Sequence, residues 1–163
     1  MGVSDSVGGI WEAISKRLAE EGAIVHIFER DIGQANVVLS EFDGLTGSGV
    51  AYQVDVASEA SVQNALTQID SVDVLINNAG IASIGNVEVA TSEEMDRVYA
   101  VNVKGVFHCI QGVIPKMRTQ GGGAILNLAS IASRLGISDR FAYSMTKGAV
   151  SLSYTHLTLP TKA

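Results

Sequence analysis

Short, nearly apolar runs alternate with longer amphipathic stretches along the chain, and this alternation limits the possible folds more than any other feature. Residues 23–28 (Ala-Ile-Val-His-Ile-Phe) are almost continuously apolar, which indicates a strand buried on both faces. The preceding stretch, residues 10–21, repeats apolar side chains at helical spacing and meets a stop at Gly22. Strands and helices that alternate in this way predict an α/β fold with a parallel sheet covered on both faces.

The same pattern places the other elements. Ser58 is predicted to cap a helix, and a long helical region is predicted to bend near Gly105. In a doubly wound parallel sheet, ligands bind beyond the carboxyl ends of the strands. The predicted strands are residues 23–28, 50–54, 72–76 and 124–128, and the predicted helices are residues 10–21, 31–42, 58–69, 92–118 and 141 onward.

Charge and cysteine content exclude several classes of protein. The net charge of −6 and the lack of a basic cluster argue against nucleic-acid binding. Cys109 is the single cysteine, so no internal disulfide can form, and its apolar surroundings predict a small buried side chain. No apolar run is long enough to span a bilayer and no signal peptide is evident, which favours a cytoplasmic protein.

Tyr143 and Lys147 stand four residues apart, on one face of a predicted helix. A tyrosine with its ordinary pKa of about 10 exchanges protons poorly near neutral pH, and a nearby cation favours the phenolate. Ser130, thirteen residues upstream, adds a hydroxyl for a substrate oxygen. The pattern predicts a tuned general acid/base. The alternative is a half-buried tyrosine beside a solvated lysine.

Four further motifs precede this pair along the chain: Asp55-Val56, Asn77-Asn78-Ala79-Gly80, residues 99–103 with Asn102, and residues 127–130 with Ser130. Together with Tyr143-x-x-x-Lys147, they resemble the short-chain dehydrogenase/reductase family. The resemblance extends from about Gly9 to about Ser151. It implies a Rossmann-like fold and an NAD(P)-dependent oxidoreductase that acts on a secondary alcohol or ketone, with sugars and polyols among the candidate substrates.

By this resemblance, Tyr143 gives or takes the hydroxyl proton, while Lys147 favours the phenolate and holds the nicotinamide ribose. Ser130 positions the substrate oxygen, and Asn102 supports the lysine through water. Two alternatives remain open. Asn102 could be a buried polar residue bonded to backbone, and Ser130 could be a strand-end cap.

The glycine-rich turn that should hold the cofactor pyrophosphate departs from the family pattern Thr-Gly-x-x-x-Gly-Ile-Gly. Gly9 and Ile10 match its second glycine and its isoleucine. Asp5 and Trp11 stand where the first and third glycines belong, and an apolar strand before them is nearly absent. A carboxylate repels pyrophosphate, and an indole cannot replace a missing side chain.

The match recovers further along. Glu29 ends a predicted strand, where an acid accepts hydrogen bonds from the adenosine ribose and repels a 2′-phosphate, so NAD is expected over NADP. Arg30 works against that preference, because a guanidinium can pair with the phosphate. The resemblance implies further cofactor contacts at Asp55, Val56, Asn77, Ala79 and Gly80, besides Tyr143 and Lys147. Gly80 is expected to take a backbone conformation closed to other residues.

Both ends of the chain look atypical for the family. Residues 1–152 are expected to form an incomplete dinucleotide-binding oxidoreductase domain, truncated at both ends, with residues 153–163 as a non-native tail. Two alternatives to an enzyme follow: a non-catalytic fragment, or a regulatory nucleotide-binding module. A homodimeric or homotetrameric parent protein is implied by resemblance. No metal site is predicted, because His26, His108 and His156 lack metal-ligand spacing.

Overall fold

The computed structural model describes residues 9–154, and within them it confirms the predicted order of helices and strands. A π-helical segment (Ala100–Lys104) and a 3-10 turn (Ile131–Ser133) complete the elements. The helices are α1 (Ile10–Glu20), α2 (Ile32–Ser40), α3 (Glu59–Leu66), α4 (Ser92–Tyr99), α5 (Gly105–Thr119) and α6 (Phe141–Ser153), and the strands are β1 (Ile24–Glu29), β2 (Ser48–Gln53), β3 (Val74–Asn77) and β4 (Ala124–Asn127).

All four strands are parallel to their partners, as the apolar runs predict. β1 pairs with β2, starting at Ile24 opposite Ser48, and β3 pairs with β4, starting at Val74 opposite Ala124. Within residues 9–154 the two pairs remain separate sheets. Residues 1–8, which precede α1, lie outside the described residues.

Helices cover both faces of the strands. Val25 and Ile27 of β1 are buried in one apolar cluster with side chains of α1 and α2. Phe28 points to the opposite face, since successive residues of a strand alternate, and it packs against a second cluster built by α3 and α5. A third cluster joins α5 to α6 through Val106 and Val150. The cluster of α3 and α5 contacts a residue of every strand, namely Phe28, Tyr52, Leu75 and Ile125.

The ends of the helices follow from local chemistry. Gly22 has φ +90°, a value that L side chains rarely adopt, and it ends α1 at the predicted stop. The Ser58 hydroxyl accepts a hydrogen bond from the Ser61 N–H at 3.3 Å, which confirms the predicted cap of α3. The Thr91 hydroxyl caps α4 in the same way through the Glu94 N–H.

The predicted bend near Gly105 is a π-helical turn rather than a simple kink. The Gly105 N–H bonds to the Ala100 carbonyl, five residues back, so one extra residue is inserted between α4 and α5. This segment carries Asn102. None of the helices within residues 9–154 is long and apolar enough to cross a membrane.

Candidate active site

Tyr143 and Lys147 lie one turn apart on α6, near the segment that carries Ser130. The Lys147 Nζ lies 6.0 Å from the centre of the Tyr143 ring. Ser130 follows β4 and is the N-cap of the 3-10 turn, with its hydroxyl accepting a hydrogen bond from the Ala132 N–H at 3.2 Å. That turn packs against α6. Ser130 therefore does cap a local turn, as its alternative interpretation predicts, while standing beside the helix of the other two residues.

Lys147 is buried, with 5% of its surface exposed. Its ammonium donates a hydrogen bond to the Leu128 carbonyl at 2.8 Å, which ties α6 to the end of β4. Burial lowers the pKa of Lys147 below its ordinary value of 10.5, because the charged form loses solvation. The interpretation of Lys147 as a solvated surface lysine is therefore wrong.

Asn102 is completely buried, and its side-chain amide bonds to three groups. The Oδ1 accepts from the Ile81 N–H at 2.8 Å, and the Nδ2 donates to the Ile81 carbonyl and to the Thr146 hydroxyl, both at 3.0 Å. The sequence alternative of a buried polar residue bonded to backbone describes this side chain correctly. Both amide hydrogens are used, so the side chain holds the turn after β3 against α6.

Gly80 allows a close approach of two side chains, and its backbone conformation is not unusual. Its φ is not among the positive values, so the expectation of a conformation closed to other residues is wrong. A Cβ at this position would stand 3.2 Å from the Lys147 Nζ and 3.3 Å from the Asn102 Oδ1. The missing side chain makes room for the lysine and the amide.

Three residues of the predicted cofactor set share one small cavity. Val56, Asn77 and Ala79 line it together with residues of the π-helical segment and α5. Val56 is held from two sides: its carbonyl bonds to the His108 Nδ1 at 2.9 Å, and Gly105 leaves space for its methyl group. The Asn77 side chain donates to the Asn127 Oδ1 at 2.8 Å, so it joins β3 to β4.

Two acidic residues lie at the carboxyl ends of β1 and β2. The half-buried Glu29 accepts a hydrogen bond from the Asp31 N–H at 3.0 Å. Asp55 is exposed, and its carboxylate accepts from the Ala57 N–H at 2.9 Å. Asp31 itself caps α2. Both acids thus stand where the strand pattern predicts them.

The start of α1, where the resemblance places the pyrophosphate, carries a carboxylate. Gly9 is the N-cap of α1, and its N–H donates to the Glu12 Oε2 at 2.9 Å. Ile10 is exposed, while Trp11 packs against the apolar cluster of α1, α2 and β1. Asp5 lies outside the described residues. The indole in place of the third glycine is therefore accommodated by turning it into the core.

The sequence analysis did not identify two residues of the candidate site, Glu12 on α1 and Thr146 on α6. Glu12 stands three residues after the N-cap, a spacing known for carboxylates that reach back to that position, and this could have identified it. Thr146 lies within the Tyr-x-x-x-Lys pattern at a position that the pattern leaves free. Only its hydrogen bond with Asn102, which the structure shows, identifies it.

Other candidates take core roles. Cys109 is buried, and burial raises its pKa to about 11, as expected for a small core residue rather than a nucleophile. Among residues 9–154, no three His, Cys, Asp or Glu side chains are grouped so as to hold a metal ion. His156 and most of the predicted tail lie outside that range, whereas Ser153 belongs to α6.

The model of the short chain dehydrogenase family matches residues 3–161. Among curated proteins, the chain is 36% identical over 159 residues to a 3-oxoacyl-acyl-carrier-protein reductase of Staphylococcus epidermidis, covering 94% of this chain and 65% of that protein. The chain spans 60 to 65% of the length of the curated relatives it matches first.

Solved structures agree with the fold. One neighbour is a metagenomic short-chain oxidoreductase in complex with NADP, with a TM-score of 0.85 and 27% identity over 90% of this chain and 69% of that one. Another is an NAD+-bound xylitol dehydrogenase, with a TM-score of 0.84 and 31% identity over 88% of this chain and 58% of that one. The doubly wound α/β fold is thereby established.

Proposed function

Because the chain belongs to the short-chain dehydrogenase family, we propose that it supports hydride transfer between a nicotinamide cofactor and a secondary alcohol or ketone. The observation that carries this proposal is the buried ammonium of Lys147, 6.0 Å from the Tyr143 ring centre and fixed to the Leu128 carbonyl. In this proposal, the lysine charge offsets the negative charge that develops on the phenol oxygen while the proton is transferred.

Each residue then has one task. Tyr143 gives a proton to the substrate oxygen during reduction and takes it back during oxidation. Lys147 favours the phenolate by its charge, and Ser130 orients the substrate oxygen through its hydroxyl. Asn102 supports Lys147, by water in the resemblance and here also through the bonds of its side chain to Ile81 and Thr146.

Some of the residues that would hold NAD(P) are suited to binding it, and others are not. Bound there, the cofactor would supply or accept the hydride. Val56, Asn77 and Ala79 line one small cavity, and Gly80 lies against Lys147. The exposed carboxylate of Asp55, which follows β2, is open to the adenine amino group. At Gly9 and Ile10 the fit is poorer, because the Glu12 carboxylate takes the Gly9 N–H.

Glu29 favours NAD over NADP in this proposal. Its carboxylate stands at the end of β1, where it would accept ribose hydroxyls and repel a 2′-phosphate. Replacing Glu29 with Gln should narrow the difference between NADH and NADPH affinities. A wild-type preference for NADPH would contradict the assignment.

The decisive test combines binding with turnover. NADH is titrated by its fluorescence, and turnover is followed with xylitol plus NAD and with an acetoacetyl thioester plus NADH. Tyr143→Phe should lower turnover at least about 100-fold, the range of general acid–base catalysis, and leave NADH binding and the unfolding midpoint unchanged. The control Tyr154→Phe alters an exposed tyrosine and should keep full activity. Retained activity in Tyr143→Phe would overturn the role of Tyr143.

A second candidate is a nucleotide-binding module or fragment without catalysis. The Glu12 carboxylate at the Gly9 N–H favours it, because a negative charge there opposes pyrophosphate binding. NADH binding without turnover of either substrate would support the module, and neither binding nor turnover would support the non-catalytic fragment.

We also propose a homodimer or homotetramer formed through the helical region of α4 and α5 and through α6. Exposed apolar side chains on these helices, such as Phe107 and Met145, support it. Light scattering of the purified chain gives the mass, and a monomer at micromolar concentration would contradict the assembly.

A further inference from the structure

Thr146, immediately before Lys147 in α6, is the most deeply buried hydroxyl beside the proposed site, with 1% of its surface exposed. Its Oγ1 donates to the Tyr143 carbonyl at 2.8 Å and accepts from the Asn102 Nδ2 at 3.0 Å. A hydroxyl has one hydrogen, so with that hydrogen on the carbonyl the second partner must be a donor. The amide supplies that donor.

The orientation of the Asn102 amide is fixed independently. Its Oδ1 faces the Ile81 N–H, a group that can only donate. The Nδ2 is thereby directed at the Ile81 carbonyl and at Thr146. In the described part of the chain, no buried side-chain nitrogen or oxygen lacks a partner. A fully satisfied buried network of this kind has one arrangement and holds its members rigidly.

We propose that Thr146 is a positioning residue: its hydroxyl fixes the Tyr143–Lys147 turn of α6 against Asn102 and the turn after β3. The catalytic consequence rests on the proposed function. The positioning of Lys147 is independent of the proposed function, because it depends only on the hydrogen bonds of Thr146, Asn102 and Lys147.

The lysine has little room to compensate for a displaced helix. Its Nζ is bonded to the Leu128 carbonyl, and a methyl group on Gly80 would already stand 3.2 Å from it. Thr146 and Lys147 are consecutive, so a movement of α6 away from Asn102 also shifts the Lys147 backbone relative to the Leu128 carbonyl to which its ammonium is bonded. Tyr143 lies on the same helical turn and moves with them.

The competing explanation is that Thr146 only fills space with its methyl group. Two replacements separate the explanations. Thr146→Val keeps the shape and removes the hydroxyl, leaving the Asn102 Nδ2 with one partner fewer. Thr146→Ser keeps the hydroxyl and removes the methyl group. A positioning hydroxyl predicts that Ser preserves the site and Val does not, and simple packing predicts the reverse.

The first readout is the titration of Lys147, followed by NMR of its side-chain carbon and nitrogen and assigned by the signal lost in Lys147→Met. It needs neither cofactor nor turnover. In Thr146→Val, the lysine pKa should move from its lowered value towards 10.5, since a loosened ammonium regains solvent. In Thr146→Ser it should stay at the wild-type value. No shift in Val, equal shifts in both, or a shift in Ser alone would each overturn the proposal.

If Thr146→Val does not fold, Thr146→Ala and Thr146→Ser form a second pair that differs by the hydroxyl alone. The same outcomes then decide. In an active chain, Val or Ala should lower kcat about 10- to 100-fold, because a small misplacement of catalytic groups is costly. KM for NADH should rise as well, since Lys147 is expected to hold the nicotinamide ribose. An inactive wild type would refute the proposed function, whereas the lysine titration would still test Thr146.

Discussion

The two ends of the proposed cofactor site, at the start of α1 and at α6, differ in how their polar groups are bonded and buried. At the start of α1, the Gly9 N–H is occupied by the Glu12 carboxylate and the Trp11 indole turns into the core. At α6, Asn102, Thr146 and Lys147 are buried and bonded to one another or to backbone. The first end departs from the family pattern and the second keeps it.

This difference indicates that the α6 end contributes mainly to protein stability and the α1 end mainly to ligand affinity. The bonds of Asn102 join three segments of chain, so losing them would destabilise the protein whether or not a ligand binds. A pyrophosphate turn contributes mainly to ligand affinity, and helix α1 is stable with a carboxylate in that place. In the proposed function, proton-transfer geometry at α6 and cofactor affinity at α1 can therefore change independently.

The largest effect is expected at the α6 end. Asn102→Ala leaves the Ile81 N–H and carbonyl without their buried partners, and each such loss costs about 1–3 kcal/mol. Urea unfolding should therefore show a loss of ~2–6 kcal/mol. The control Asn64→Ala, on the exposed face of α3, should change stability by less than about 0.5 kcal/mol. Similar losses in both variants would contradict the assignment of this stability to the buried bonds of Asn102.

At the α1 end, the expected effect is on affinity. Glu12→Gln keeps the shape and a hydrogen-bond acceptor but removes the negative charge beside the Gly9 N–H. NADH affinity should rise about two- to fivefold, the value of one charge at a helix terminus. Calorimetric titration measures it. Glu20→Gln, at the other end of the same helix, serves as control, and an equal gain there would contradict a local cause.

The smallest effect is a difference in alkaline stability between two lysines. Burial lowers the Lys147 pKa, so between that value and 10.5 the folded state binds fewer protons and stability rises with pH. The Lys16 pKa is raised by its hydrogen bond to Glu41, so its contribution is present below 10.5 and is lost as pH rises through the folded value.

Urea midpoints over an alkaline pH series test this. The stability difference between wild type and Lys147→Met should grow in favour of wild type as pH approaches 10.5, and that for Lys16→Met should shrink above it. If the two stability differences changed in the same direction with pH, the pKa values of Lys147 and Lys16 would not be shifted in opposite directions.

The sequence was sufficient wherever a short-range rule applied. The stop at Gly22, the cap at Ser58 and the strand ends before Asp55 and Ser130 are local consequences of glycine, hydroxyl and apolar runs. The parallel pairing followed from strands that are apolar on both faces. The placement of Tyr143 and Lys147 on one helical turn needed only the helical period.

The misses share a different cause. Gly80 was expected to need an unusual φ, but it needs space for atoms of Asn102 and Lys147 that are distant in sequence. Thr146 acts through a residue 44 positions away, and no local pattern contains that partner. A glycine or a threonine looks the same in sequence whether its neighbours are water or another segment of chain.

The π-helical turn between α4 and α5 changes which residues of the two helices lie on the same side, compared with one regular α-helix over the same residues. One inserted residue advances the helical phase by about 100°, so a helical projection drawn through residues 92–119 as a single regular helix misplaces every side chain beyond Lys104. Deleting one residue between Ala100 and Lys104 would restore a regular helix. In an alignment that change is a single gap, and in the molecule it would remove the π-turn while the buried and exposed faces of α5 stay as they are, because the π-turn absorbs the extra residue.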